Sequence, residues 1–538
     1  MCRRLNRSTR SAAPFTVLLL VWLTLPSYLL GESSVTLHPL WSHAHGRFDK
    51  SAAEVVACLP QQGRVYVTNA DEDCVDVLDL KTGELIARWD ISKTGQPNSL
   101  AVCDAFLAVA VAAPRETNKG KLLFLDPASG NVLEQLEVGA NPDMVCIAPD
   151  QKTVLVANEG QPNKDYDIDP PGSISLIHWR GADVKPELTM VGFESFNSQR
   201  DQLIAQGVRI CGPSKKHADK RATVAEDLEP EYIAIAPDAK HAWITLQENN
   251  AIAMLDIGNR KISRIFTCGL KNHGAKGNAM DVSDCDGKNK KGCIKIETAP
   301  VWGLYQPDAI ATMQVDGEIY LLTADEGDPR DYRGHSEVKK AGKTKLTKAI
   351  SKQDQKRLSR LEVSVSEVDR ARYPDRLLSF GGRSFSIRSA DGTLVFDSGD
   401  RLEREVARRW PAHFNSSHDR NAEMDDRSHK RGPEPEGITV GKVDDRTLAF
   451  IALERASVIA IYDVTDPKQP FLLNMFSGRK AKKDSSGQSE QDDLGPETMA
   501  FIPASQSPTG KPLLLVAFEV SGTTRLFEVR GGGQLAAS

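Results

Sequence analysis

Aromatic residues are scarce, 6% of 538 positions, and no charge sign dominates: 68 Lys and Arg stand against 73 Asp and Glu, a net charge of −5. Without a strongly basic balance the chain offers no global field to hold nucleic acid. No Cys-x-x-Cys and no Cys-x-x-Cys-His occur, so structural zinc and c-type haem lack their ligand spacing. The Gly-x-Ser-x-Gly elbow, the His-Glu-x-x-His pair and the phosphate-cradling Gly-Lys-Ser/Thr loop are also missing, which removes the commonest hydrolase and nucleotide-binding signatures. After the first thirty residues no run is long and apolar enough to span a bilayer. What is plentiful is hydrophobic residues at 40%, enough for a packed core. Forty glycines and 29 prolines add many turns between short strands, so the composition reads as all-β.

Residues 1–31 read as a secretory signal peptide: Arg3, Arg4, Arg7 and Arg10 precede an apolar run from Phe15 to Leu30, and Gly31 to Ser34 form a polar exit. An uncleaved N-terminal anchor is the alternative. Eight cysteines remain beyond Cys2, an even number that suits disulfides in an exported protein. Cys285 and Cys293 flank a Gly- and Lys-rich turn and form the easiest pair to propose. Cys58, Cys103 and Cys146 fall in apolar strands and could equally be buried thiols.

A repeat organises the chain. A small residue or proline, an acid or amide, and then an alternating apolar strand recur at Glu54, Asn98, Asp143, Glu231, Asp308, Glu436 and Glu497. Each copy is followed by a second apolar strand that usually ends in a polar group, and often by a third. Seven such meanders predict a seven-bladed β-propeller. It would run as one unit over 35–530, with a disordered tail at 531–538. Pairing of the strand near Val35–Leu40 with Arg525–Val529 would close the ring and remove its exposed edges. Two stacked β-sandwiches, or an eighth degenerate blade, are the other readings. Helical and loop insertions are expected at about 194–229, 328–383, 400–433 and 477–493. The first holds a helix over Gln199–Gln206 and a basic loop, Lys215 to Arg221; the second begins with a Lys-rich helical stretch. These charge runs read as solvated surface. Asn415-Ser416-Ser417 is a glycosylation sequon, meaningful in a eukaryotic host.

Innermost propeller strands line a central channel, so equivalent repeat positions form a ring of acids. The ends of the second strands add Glu159, Asp325, Glu326, Glu454 and others nearby. So many carboxylates repel one another unless protonated, paired with arginine or bridged by cations. Hard oxygen ligands in irregular geometry suit Ca²⁺. Equally, each acid could accept backbone N–H bonds and stabilise its own blade. The loops Asn158–Tyr166 and Asp325–Tyr332 are near duplicates, which points to a facing loop pair at a ligand. Glu159, Asp325, Glu326, Asp328, Glu436 and Glu497 are the expected Ca²⁺ ligands on one face. The segment Asp281–Gly287 has a weaker calcium-loop character.

Arg64-Val65-Tyr66-Val67-Thr68-Asn69 resembles the strand signature of YVTN-type propellers. More specifically, about 50–530 resembles the choice-of-anchor I proteins, through Val156–Gly160, Leu228–Ile233, Thr245–Asn250, Tyr305–Asp308, Asp325–Asp328, Gly381–Ile387 and Gly432–Gly437. That family includes mesenchyme-specific cell-surface glycoproteins and exported bacterial proteins, some labelled alkaline-phosphatase-like. The resemblance implies a secreted, periplasmic or cell-surface protein with an extracellular or surface ligand. No nucleic acid, no membrane span after signal removal and a monomeric state are expected. Two function classes follow: a propeller that binds Ca²⁺ and a partner, or a metal-dependent phosphoesterase with Arg330 and Arg455 beside the metal.

Overall fold

Each copy of the repeat folds into one four-stranded antiparallel sheet. The structure, a computed structural model, describes residues 35–345, 350–418, 423–479 and 492–531. The leader expected over 1–31, most of the 477–493 loop and residues 532–538 of the expected tail lie outside these residues. The first strands of the seven sheets are Val56–Leu59, Gln96–Val102, Pro142–Ile147, Ile233–Ile235, Ile310–Val315, Pro435–Val443 and Pro496–Ile502. Second strands such as Leu107–Ala112, Thr153–Asn158 and Leu513–Phe518 are buried along their whole length. Such continuous apolar runs belong to strands covered on both faces. Outer strands such as Leu85–Asp90 alternate between exposed and half-buried positions, because only one face meets a neighbour.

The apolar cores lie between sheets. Leu155 and Ile174 of the third sheet pack with Ile244 and Ala253 of the fourth. Val65 and Val67 of the first pack with Leu513 and Leu515 of the last. Each first strand lies against the first strand of the next sheet, and Pro496–Ile502 lies against Val56–Leu59, so the series closes on itself. The architecture is all-β and propeller-like.

Closure uses both ends of the described chain, as the sequence predicts. Thr36–Ala44 pairs antiparallel with Thr523–Arg530, from Thr36 opposite Arg530 to Ala44 opposite Thr523. A polar clasp sits beside this pairing. His45 Nδ1 lies 2.7 Å from Asp76 Oδ2 and His45 Nε2 2.8 Å from Thr524 Oγ1. Asp76 also accepts from Asn69 Nδ2 (3.1 Å) and Arg88 Nε (2.6 Å). Burial alone would raise the Asp76 carboxyl, but hydrogen bonds from His45 and Arg88 hold it well below the usual carboxylate range.

Three insertions take the shapes that their polar composition allows. The first holds the helix Arg200–Gln206, one residue shorter than expected, and a capped turn, Val224–Asp227. The second does not begin as a helix: Val338–Lys340 pairs with Glu362–Ser364, and among the described residues its α-helices are Lys352–Arg357 and Glu367–Arg372. The third holds the helix Arg401–Arg409. A three-stranded sheet unannounced by the sequence joins Leu270–Asn272, Trp302–Leu304 and Leu378–Phe380. Two expectations fail locally. Cys285 and Cys293 are free thiols, as are the other six cysteines of the described residues. Their sulfurs have separate polar neighbours: Cys293 Sγ donates to Asp286 Oδ1 (3.2 Å), and Cys285 Sγ lies 3.6 Å from Ser283 Oγ. Asn415 of the sequon is fully buried, with Nδ2 donating to Glu403 Oε1 (2.7 Å) and Ser428 Oγ (2.8 Å). The folded chain presents no glycan acceptor there.

Asp76→Ala should cost about 3 kcal/mol or more in urea denaturation, because it leaves buried His45 and Asn69 without their acceptor. The sign of the pH dependence follows from the lowered native pKa. The stability that Asp76 contributes is present above its unfolded value of about 4 and is lost as pH falls below it. The variant should therefore flatten that acid limb.

Candidate functional site

The ring begins as a backbone device. In four sheets the residue after the opening proline is skipped by the strand register: Asn98, Asp143, Glu436 and Glu497 have no partner across the pair. These are β-bulges, which re-aim a side chain, and proline fits the first strand position because it has no N–H to leave unpaired. Glu54, Glu231 and Asp308 take the equivalent place just before their strands. All seven side chains are half-buried, enclosed by the channel wall.

The acids converge. Burial, followed by the charges of Asp143, Glu248, Glu454 and Asp328, pushes Asp308 up to about 8. Burial also pushes Asp143 up to about 6. Glu54, Glu231, Glu436 and Glu497 are driven well above the usual carboxylate range, first by burial and then by neighbouring acids of their own and other sheets. Glu497 feels Glu519, then Glu54 and Asp308; Glu231 feels Glu248, then Asp308. Among the described residues none of these six carboxylates accepts a hydrogen bond from its own sheet, and Oε2 of Glu231, Glu436 and Glu497 is a buried atom with no partner. Backbone N–H bonds within each blade therefore do not account for the ring.

One side of the channel is neutralised. Glu434 accepts from Arg427 Nη2 (2.7 Å) and Arg455 Nε (2.9 Å), and Arg431 Nη2 lies 3.3 Å away. Burial opposes ionisation of Glu434, but the three guanidiniums hold it well below the ordinary range. Glu454 is paired with His418 and with Arg455 (3.1 Å), and Asp328 with Arg431. A separate buried guanidinium, Arg330, donates Nε to Glu229 Oε1 (2.8 Å) and Nη2 to the Asp227 carbonyl (2.8 Å). Glu248, only 5% exposed, has its Oε2 unpartnered.

Two carboxylate trios fit a cation. Asp308, Glu326 and Glu436 each bring one oxygen within 4.8 Å of the other two, and so do Glu326, Glu434 and Glu454. Of the six expected ligands, Glu326 and Glu436 thus stand together. Asp328 is drawn to Arg431, while Glu497 stands with Glu54 and Glu519. Glu159 accepts from Asn141 Nδ2 (2.5 Å) and faces Asp143, Glu229 and Glu248. Asp325 turns away onto the hydroxyls of Thr323 (2.8 Å), Ser384 (3.1 Å) and Ser386. Asp308 is a ring position that the ligand set omits. Glu434 lies in the quoted Gly432–Gly437 motif, but its role emerges only from arginines distant in sequence.

The duplicated loops face each other. The rings of Tyr166 and Tyr332 stand 5.5 Å apart, and Gly334 N donates to the Lys164 carbonyl (3.0 Å). Gly160 and Gly327, the third residues of the two loops, have φ of 72° and 91°. A Cβ at Gly327 would come within 2.1 Å of the Gly381 nitrogen, so the shared glycine is a close-approach requirement.

Comparison with known proteins adds the following. A family model described as choice-of-anchor I domain matches residues 54–467. Gigasin-3a of Magallana gigas is 34% identical over 185 residues, 32% of this chain and 65% of that protein. The mesenchyme-specific cell surface glycoprotein of Strongylocentrotus purpuratus is 30% identical over 320 residues, 52% of this chain and 40% of that protein. The chain thus spans less than two thirds of either curated relative. Among solved structures, the Cps50 (Swd1) β-propeller domain of Myceliophteria thermophila aligns with a TM-score of 0.44 at 9% identity, covering 92% of this chain and 100% of that one.

One buried acid beside the duplicated loop yields a prediction. Asp169 is 7% exposed, neither oxygen has a partner, and burial together with Asp227 pushes it up to about 8. A raised native pKa means stability is lost as pH rises from about 4, the unfolded value, through the native value. Asp169→Asn should therefore leave the melting temperature at pH 4 nearly unchanged and raise it increasingly towards pH 8. A uniform loss at every pH would contradict this assignment.

Proposed function

The chain belongs to the choice-of-anchor I domain family, and from that premise we propose that it is an extracellular β-propeller whose channel holds a divalent cation, calcium by preference. We count each four-stranded sheet as one blade, seven in all, within one unit over 35–530. The surface of that unit would meet an extracellular or cell-surface ligand; its kinship to a cell surface glycoprotein supports the placement.

The observation that carries the cation reading is the Asp308, Glu326 and Glu436 trio, in which a buried Glu436 oxygen has no partner. All donors are carboxylate oxygens from three different segments, the hard and irregular set that Ca²⁺ accepts more readily than octahedral Mg²⁺. A bound ion would supply the positive charge that the unpaired side of the channel lacks. Glu231 and Glu497 would complete the acidic surround, while Gln247 Nε2, donating to Glu326 Oε2 (2.9 Å), orients that ligand. The phosphoesterase reading finds no support in the arginines proposed for it. Arg330 is 1% exposed and bound to Glu229, and Arg455 is committed to Glu434 and Glu454.

Calcium at a hundredfold excess over its Kd should stabilise the fold by about 2.7 kcal/mol, read as a rise in melting temperature that a chelator reverses. Glu326→Gln with Glu436→Gln should abolish the calcium response, whereas Asp325→Asn should keep it. A melting temperature indifferent to calcium and chelator alike would sink the proposal.

A further inference from the structure

Away from the channel, the first and second insertions enclose an open cleft of about 1140 Å³. Its lining carries Lys220, Arg221, Lys339, Lys343, Lys345 and Arg370. All six are exposed, and among the described residues none of them forms a salt bridge. The acids in the same lining are fewer: Asp201 and Glu367 are exposed, and Glu337 is consumed by Arg209 Nη2 (2.8 Å) and the Arg330 N–H (3.1 Å). In a chain with more acids than bases overall, this is a local reversal of sign. A cleft concentrates such a field and raises the local concentration of a ligand of opposite charge.

The cleft is built rather than incidental. Buried Arg209 ties the insertions together, binding Glu337 and Asp369 of the second while holding the Glu248 carbonyl. Ser366 Oγ donates to Cys211 Sγ (3.2 Å) across the same seam, and Arg372 reaches the Ala205 carbonyl. The basic loop is pinned by an antiparallel bridge between Pro213 and Arg221 and by Ser214 N donating to the Lys220 carbonyl (3.0 Å). Lysines and arginines kept exposed and unpaired on a rigid frame mark an anion site.

We propose that this cleft binds a sulfated glycan. The cations are spread along an extended surface, so a ligand with several anionic groups in series engages more of them than a single small anion. Four of the six are lysines, whose compact ammonium groups meet sulfate esters as point charges without the bidentate geometry of an arginine fork. Single-stranded nucleic acid is disfavoured because its binding relies on aromatic stacking platforms. Among the described residues the one aromatic side chain in the lining is His335. This inference is independent of the channel and its cation.

The test is fluorescence anisotropy of a labelled heparin fragment with the full chain, across a NaCl series. Binding should weaken steeply with salt, as counterion release requires. Replacing Lys339, Lys343 and Lys345 together by Gln should weaken it about tenfold or more. Lys220→Gln with Arg221→Gln, on the opposite wall, should weaken it in the same direction. Removing the same charge elsewhere, by Lys81→Gln, Lys185→Gln and Lys261→Gln, should change it less than about twofold. These side chains are exposed, so melting temperatures should match that of the parent. The proposal is overturned if desulfated heparin binds equally well or the distant triple variant weakens binding as much as the cleft variant. It is also overturned if oligodeoxythymidylate binds more tightly than heparin.

Discussion

Carboxylates facing one another across an enclosed channel repel strongly, and the rest of the molecule is arranged around that repulsion. Two unit charges 4 Å apart interact by about 4 kcal/mol at the effective dielectric of a protein surface site. Ring closure cannot avoid the problem, because equivalent positions of all the sheets point to one axis. Closure by the terminal strands, clasped through His45, Asp76 and Thr524, holds the acids there. The molecule therefore needs protons, guanidiniums or a cation in the channel.

Guanidiniums meet only part of that need. Arg427, Arg431 and Arg455, together with His418, converge on Glu434, Glu454 and Asp328. Asp308, Glu231, Glu436 and Glu497 receive no such partner, and their carboxyls are held high by burial and by one another. Glu326 lies at the border between the two regions, within reach of both trios. That asymmetry is why the proposed cation site falls at this border rather than at the centre of a symmetric ring.

The repeat was legible because proline, acid and alternating apolar residues recur in a fixed order that local chemistry enforces. From it follow the all-β class, the pairing of the two ends and the convergence of the acids. Orientation was less legible. Asp325 and Glu326 are adjacent, yet one faces three hydroxyls and the other the channel, a choice set by strand register rather than residue type. Arg427 and Arg431 reach the channel from an insertion, and no spacing rule announces a contact made across such a distance. The Cys285–Cys293 expectation failed because proximity in sequence says nothing about where each sulfur points. Leu270–Asn272, Trp302–Leu304 and Leu378–Phe380 are too short to show a period, so their sheet was invisible until folded.

The channel and the basic cleft divide the charge of the chain into two separate surfaces of opposite sign, so a near-neutral composition concealed both. The central claim concerns the first of these surfaces. An anomalous-difference map from crystals grown with terbium, an oxygen-preferring stand-in for calcium, tests it most directly. The account predicts a peak bounded by Asp308, Glu326 and Glu436. Peaks confined to the outer surface, with none in the channel, would contradict it.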